Sequence, residues 1–181
     1  EDNKNPDCPV CSAEGVTACK GEPVVPVLYG APRESVTYID ADGQTKTLTE
    51  SYTTIDLNNK LTTWSDGWYV AQGEITIGSK DDPQRVTVKD NVHLILADGC
   101  KLTVNGGIEV EDPNSLTIYA QSAGSGTLTA QNVADFNAGI GGGWYGSGGN
   151  ITIEGGEVTA TGGDDGAGIG GGFGGDGGSF S

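Results

Sequence analysis

Three kinds of side chain in this sequence could carry chemistry: aromatics beside turns, turn carboxylates and cysteines. Trp144-Tyr145 interrupts a Gly-rich loop between Gly143 and Gly146, where core packing is not required, and Trp64 lies at the start of a strand-rich region. Aromatic faces stack on sugar rings, so Trp144, Tyr145 and Trp64 are candidate contacts for a glycan or a partner protein. Trp64 and Trp68 also suit another task, plugging the first coil of a solenoid, and Trp68 is read that way. Gly171-Gly172-Phe173-Gly174-Gly175-Asp176 matches the G-G-x-G-x-D opening of calcium-binding β-roll repeats. There, Gly turns aim carbonyls and an Asp into the space between successive coils. Asp176, Asp164 and Asp165 are therefore candidate calcium ligands. The motif works in tandem, however, and the preceding stretch Gly142-Gly143-Trp144-Tyr145-Gly146-Ser147 has no Asp. Solvated turn carboxylates are the alternative, and no cofactor besides calcium is expected.

Cys8, Cys11, Cys19 and Cys100 make an even count, three of them close to the first residue. In a secreted chain that pattern predicts disulfides, with Cys100 tying the N-terminal segment to the body. A lone buried thiol at Cys100, or a zinc knuckle completed by Cys100 or His93, is the alternative. Catalytic signatures are missing. His93, the single histidine, alternates with Val92 and Leu94 as a surface-facing strand residue would, and neither G-x-S-x-G nor H-E-x-x-H occurs. The basic residues Arg33, Lys80, Arg85, Lys89 and Lys101 are scattered. The expectation is a protein that is not an enzyme.

The net charge of −16, from 25 acidic and 9 basic residues, excludes nucleic acid as the expected partner, because that polyanion is bound through Lys and Arg. No apolar run is long enough to span a bilayer, so membrane insertion is not expected either.

The elements that would position these residues are short strands. Ser35 to Ile39 and Thr45 to Thr49 alternate on either side of Asp42-Gly43, which predicts a β-hairpin. Beyond Trp68 come apolar-polar-apolar triplets: Ile75-Thr76-Ile77, Val86-Thr87-Val88, Leu94-Ile95-Leu96, Leu102-Thr103-Val104, Ile108-Glu109-Val110 and Leu116-Thr117-Ile118, then Leu128-Thr129-Ala130, Ile151-Thr152-Ile153 and Val158-Thr159-Ala160. Most turn Thr outward and two apolar side chains inward. Gly-containing turns separate them. Ala138-Gly139-Ile140-Gly141-Gly142-Gly143 returns 29 residues later as Ala167-Gly168-Ile169-Gly170-Gly171-Gly172. A period of this size marks a solenoid. A sandwich would use longer strands and fewer of the 32 glycines. The predicted fold is all-β, a right-handed parallel β-helix. Residues 1–33 form a Cys/Pro-rich extended leader, residues 34–63 a hairpin and entrance cap, and residues 64–181 the β-helix, ending in mid-coil.

The runs Trp64 to Ile77, Arg85 to Val104 and Asn114 to Ala130, with the Ala-Gly-Ile-Gly-Gly-Gly copies, resemble β-helical repeat regions of large surface proteins of Gram-positive gut anaerobes. The segment Asp7 to Gly21 is similar to the Cys-rich stretch that precedes such regions. The resemblance implies a secreted or bacterial cell-surface location and a carbohydrate-binding-like role, with no catalytic residue to carry over. The sequence is then expected to be a piece of a longer precursor. The expected function is a structural or adhesive surface protein. It would self-associate through its leader or through the open coil edge at Ser179, Phe180 and Ser181, as a homo-oligomer or filament. A glycan-binding module is the first alternative and a polysaccharide-active enzyme the second.

Overall fold

The computed structural model describes residues 35–132 and 136–181. The leader, with Cys8, Cys11 and Cys19, lies outside the described residues, so the disulfides expected among those three are not addressed. Strands are numbered in chain order.

The hairpin forms where the alternating pattern puts it. Strands β1 (Thr37–Ile39) and β2 (Thr45–Thr47) pair antiparallel. The turn needs a residue at positive φ, which Gly43 supplies at 71°. The Asp40 carboxylate accepts the Asp42 and Gln44 amides at 3.1 and 2.8 Å. The Gln44 amide is the main reason that carboxyl lies below its ordinary value, with Lys46 adding to the effect.

The remaining strands build three parallel sheets. One stacks β3 (Tyr52–Ile55), β5 (Gly67–Ala71), β8 (Asn91–Leu96), β11 (Ser115–Ala120), β14 (Asn150–Ile153) and β17 (Ser179–Phe180). The second stacks β6 (Glu74–Ile77), β9 (Lys101–Asn105), β12 (Thr127–Gln131) and β15 (Glu157–Thr161). The third stacks β4 (Thr63–Trp64), β7 (Val86–Val88), β10 (Ile108–Glu109), β13 (Ile140–Gly141) and β16 (Ile169–Gly170). From β5 onward the chain visits the sheets in a fixed order, so each coil adds one strand to each sheet. The molecule is a parallel β-helix of about four turns, and parallel pairing begins at β3.

The triplets work as their period of two requires. Ile75, Leu102, Leu128 and Val158 are register partners pointing inward, while Thr76, Thr103, Thr129 and Thr159 are partners on the outer face. The inward rows merge into one core with Leu94, Leu116, Ile118 and Ile108. Each fully buried Leu or Ile there contributes roughly 1.5–3 kcal/mol.

The third sheet has the least room. A Cβ at Gly141 would collide with the Gly170 carbonyl of the next coil, which explains why the glycine motif is duplicated. The same corner holds Arg85, whose guanidinium reaches carbonyls of the next two coils. Its Nη1 donates to the Gly106 and Ala138 carbonyls at 3.1 and 2.9 Å. Its Nη2 donates to the Gly141 and Gly142 carbonyls at 3.0 and 3.3 Å. Glu109 lies 3.4 Å from Nε. Burial lowers the Arg85 pKa, and Glu109 and Glu111 oppose that shift. Arg85 is thus a corner staple.

Outside the core, the hairpin covers the outer face of the first sheet. Val36 and Leu48 pack there with Val70 and Ile95, and the cluster extends to Tyr38, Trp68 and Tyr119. Trp68 therefore faces outward beneath the hairpin, and Trp64 is the tryptophan that plugs the interior. Trp64 is fully buried, and its indole Nε1 donates to the Leu61 carbonyl at 3.2 Å. This corrects the expectation of Trp64 as a ligand contact. In the register of β4 with β7, Trp64 pairs with the buried Val88, so its ring points into the solenoid. Cys100 is likewise corrected: it is a free thiol, buried in the main core, where desolvation pushes its pKa up.

Candidate functional site

Three of the exposed large aromatics of the described residues, Trp144, Tyr145 and Phe173, gather at one corner with the half-buried Phe136. Phe136 lies between β12 and β13, Trp144 and Tyr145 between β13 and β14, and Phe173 between β16 and β17. The rings close a four-membered circuit. Centroids are 5.8 Å apart for Phe136 and Trp144, 5.4 Å for Trp144 and Tyr145, 5.8 Å for Tyr145 and Phe173, and 5.5 Å for Phe173 and Phe136. The planes of Phe136, Trp144 and Tyr145 lie within 27° from one to the next, and Phe173 meets Phe136 and Tyr145 edge-on. Trp144 is 62%, Tyr145 65% and Phe173 40% exposed. Scattered surface aromatics need no explanation, whereas a contiguous exposed cluster is a candidate interaction site.

Backbone bonds hold the patch in shape. The Trp144 amide donates to Asn137 Oδ1 at 2.8 Å, and the Gly143 amide donates to Glu111 Oε1 at 3.1 Å. The Tyr145 amide donates to the Phe173 carbonyl, the Phe173 amide to the Phe136 carbonyl, and the Phe136 amide to the Asp164 carbonyl, at 2.8–2.9 Å. The turns of two successive coils are therefore laced together under the rings.

Two of the four aromatics sit in backbone conformations that side chains normally avoid. Phe136 has φ 73° and Tyr145 φ 57°. One repeat later, 29 residues on, the equivalent positions are Asp165 at φ 62° and Gly174 at φ 74°. Those residue types tolerate the left-handed region, whereas a bulky residue there costs roughly 1–2 kcal/mol. The coil carrying Phe136 and Tyr145 thus places aromatic rings where its neighbour uses turn-adapted residues. Such conformations persist only where the surrounding structure over-determines them, as the laced turns do here.

The structure therefore brings Trp144 and Tyr145 together as expected and separates them from Trp64. Phe136 and Phe173 are additions that the sequence reading missed. For Phe173 the signal was present: it stands 29 residues after Trp144, the repeat offset. Phe136 carried no such signal, because its partners are set by how the turns stack.

The other candidates are placed as follows. Asp164 and Asp165 share one exposed turn and Asp176 lies in another, and among the described residues no three His, Cys, Asp or Glu side chains converge on a metal-sized position. Ser179 and Phe180 pair in parallel with Asn150 and Ile151, and Ser181 continues the ladder by donating its amide to the Ile151 carbonyl at 3.1 Å. His93 is outward-facing, as its alternation implied, but covered. It stacks on Trp68 at 4.4 Å, and its Nδ1 lies 3.2 Å from the Tyr119 hydroxyl. Burial lowers its pKa, with Asp66 and Glu50 opposing the shift.

A family model described as a beta-helix repeat matches residues 151–173, from β14 through β16 to Phe173 itself. No curated protein and no solved structure matches the chain.

Proposed function

We propose that this chain is a non-catalytic binding module of a secreted or bacterial cell-surface protein, and that the Phe136, Trp144, Tyr145 and Phe173 patch stacks on the sugar rings of a glycan. The observation that carries the reading is the contiguous exposed aromatic patch, built partly from residues in left-handed backbone. A rigid, laced turn suits a binding platform, because little side-chain freedom is lost when a ligand docks. Titration of a panel of soluble glycans against the wild type and Trp144→Ala tests it. Binding that falls about tenfold or more in the variant, with unchanged circular dichroism, supports the platform. Absence of binding across the panel overturns it.

A second reading, association between copies, has one observation behind it. Phe180 continues the inward row of Val92, Leu116 and Ile151, and it is 61% exposed. A strand of another copy laid on β17 would cover that ring and extend the sheet. Light scattering decides between them. Oligomers or filaments that dissociate in Phe180→Ser support association, and a monomer at every concentration removes it.

A further inference from the structure

The proposed platform lies in a region whose charge is of one sign. Residues 102–181 contain nine acidic side chains and no Lys, Arg or His. Arg85, from the preceding coil, turns its guanidinium to this part of the solenoid, where four backbone carbonyls and Glu109 take it up. The turn holding Asp164 and Asp165 is bonded directly to the backbone of Phe136, and Asp176 follows Phe173 by three residues. All three carboxylates are exposed, and none has an ion pair among the described residues. Aromatic ring faces are themselves negative through their quadrupole. A glycan bearing uronate or sialate carboxylates would meet repulsion at this corner, whereas an ammonium group would meet both ring faces and carboxylates.

Resting on the glycan reading above, we infer that the ligand class is an amino-sugar glycan with free ammonium groups. Its pyranose faces stack on Trp144 and Tyr145, and its ammonium groups are held by Asp164, Asp165 and the ring faces. A linear polymer fits better than a single sugar. Trp144 and Phe173 occupy equivalent positions on successive coils, so the aromatic surface runs along the solenoid axis.

The test uses calorimetry with three probes: glucosamine oligomers, the same oligomers fully N-acetylated, and oligogalacturonate. The expected order is glucosamine first, the acetylated oligomer weaker by about tenfold, and oligogalacturonate not bound. Trp144→Ala should remove glucosamine binding. The double variant Asp164→Asn, Asp165→Asn should weaken it; Asn tolerates the left-handed backbone of position 165, so that fold is retained. Equal or tighter binding of the acetylated oligomer overturns the charge inference and leaves the glycan reading standing. Glucosamine binding that persists in Trp144→Ala and vanishes in about 1 M salt, where the Debye length is near 3 Å, is polyelectrolyte adsorption and overturns the inference. Tighter binding of a Lys-rich peptide than of the glucosamine oligomer overturns it in favour of a protein partner. Failure of all three probes, together with failure of the wider panel, overturns both readings.

Discussion

Two aromatic clusters lie on the outside of the same solenoid, and they differ in what covers them. Tyr38, Trp68, His93 and Tyr119 form a ladder with neighbouring centroids 4.4–5.3 Å apart. The hairpin supplies Tyr38, closes over the other three, and adds Val36 and Leu48 to a small second core. Phe136, Trp144, Tyr145 and Phe173 sit at similar spacing, yet three of them are exposed. The first cluster rests on a regular sheet face, and its residues keep ordinary strand geometry. The second is mounted on turns, with two residues in left-handed backbone. The difference teaches that aromatic composition does not separate a folding element from a binding surface. Burial and backbone strain do, and here they point in opposite directions.

Stability measurements can break that contrast. The largest expected effect belongs to the buried side. Trp64→Ala, which empties a fully buried site, should lower unfolding free energy by about 3–5 kcal/mol in chemical denaturation, while Trp144→Ala should stay within about 0.5 kcal/mol. Equal effects at the two positions would mean that the exposed corner is part of the folding core. Next is Arg85→Met, which removes the guanidinium donor from carbonyls of two coils, Gly106 on one and Ala138, Gly141 and Gly142 on the next; a loss of about 1–3 kcal/mol is expected in the same assay.

Smaller changes sharpen the comparison. Tyr145→Gly should leave stability unchanged or raise it by up to about 1 kcal/mol, because relief of left-handed backbone offsets lost ring contact. The same variant should bind glycan less well. A marked loss of stability would show that the Tyr145 ring supports the fold. The smallest effect is a pH slope confined to the covered cluster. Burial holds His93 below its ordinary 6.5, so the unfolded state binds the extra proton first. The stability contributed by neutral His93 is therefore complete above that value, declines as pH falls through it, and levels off below the folded-state pKa. Subtracting denaturation curves of His93→Asn from those of the wild type across that range isolates the slope. A difference that does not vary with pH would exclude it.

Much of the fold was legible because its signals are local. The apolar-Thr-apolar triplets specify which side chains enter the core, and Asp42-Gly43 specifies the hairpin turn. The 29-residue glycine copies specify coils that stack too closely for a Cβ. Half of the aromatic site was legible for the same reason: Trp144 and Tyr145 sit where a Gly-rich loop has no core to fill. The Trp64 and Trp68 roles were exchanged because they depend on strand register. Tyr69 and Trp64 point inward with their register partners, which leaves Trp68 on the outer face for the hairpin to cover.

By itself, then, the sequence determined the all-β solenoid, its repeat, its charge and the loop that carries Trp144-Tyr145, since each follows from neighbours along the chain. Tertiary structure alone decided that Phe136 and Phe173 join those rings, that Arg85 is consumed inside a corner, and that His93 is covered. Each of those outcomes depends on which turns from different coils fall side by side, and that alignment is set by coil lengths that vary along the chain. It also decided that Cys100 is a buried free thiol, because the inward row of β9 begins beside it.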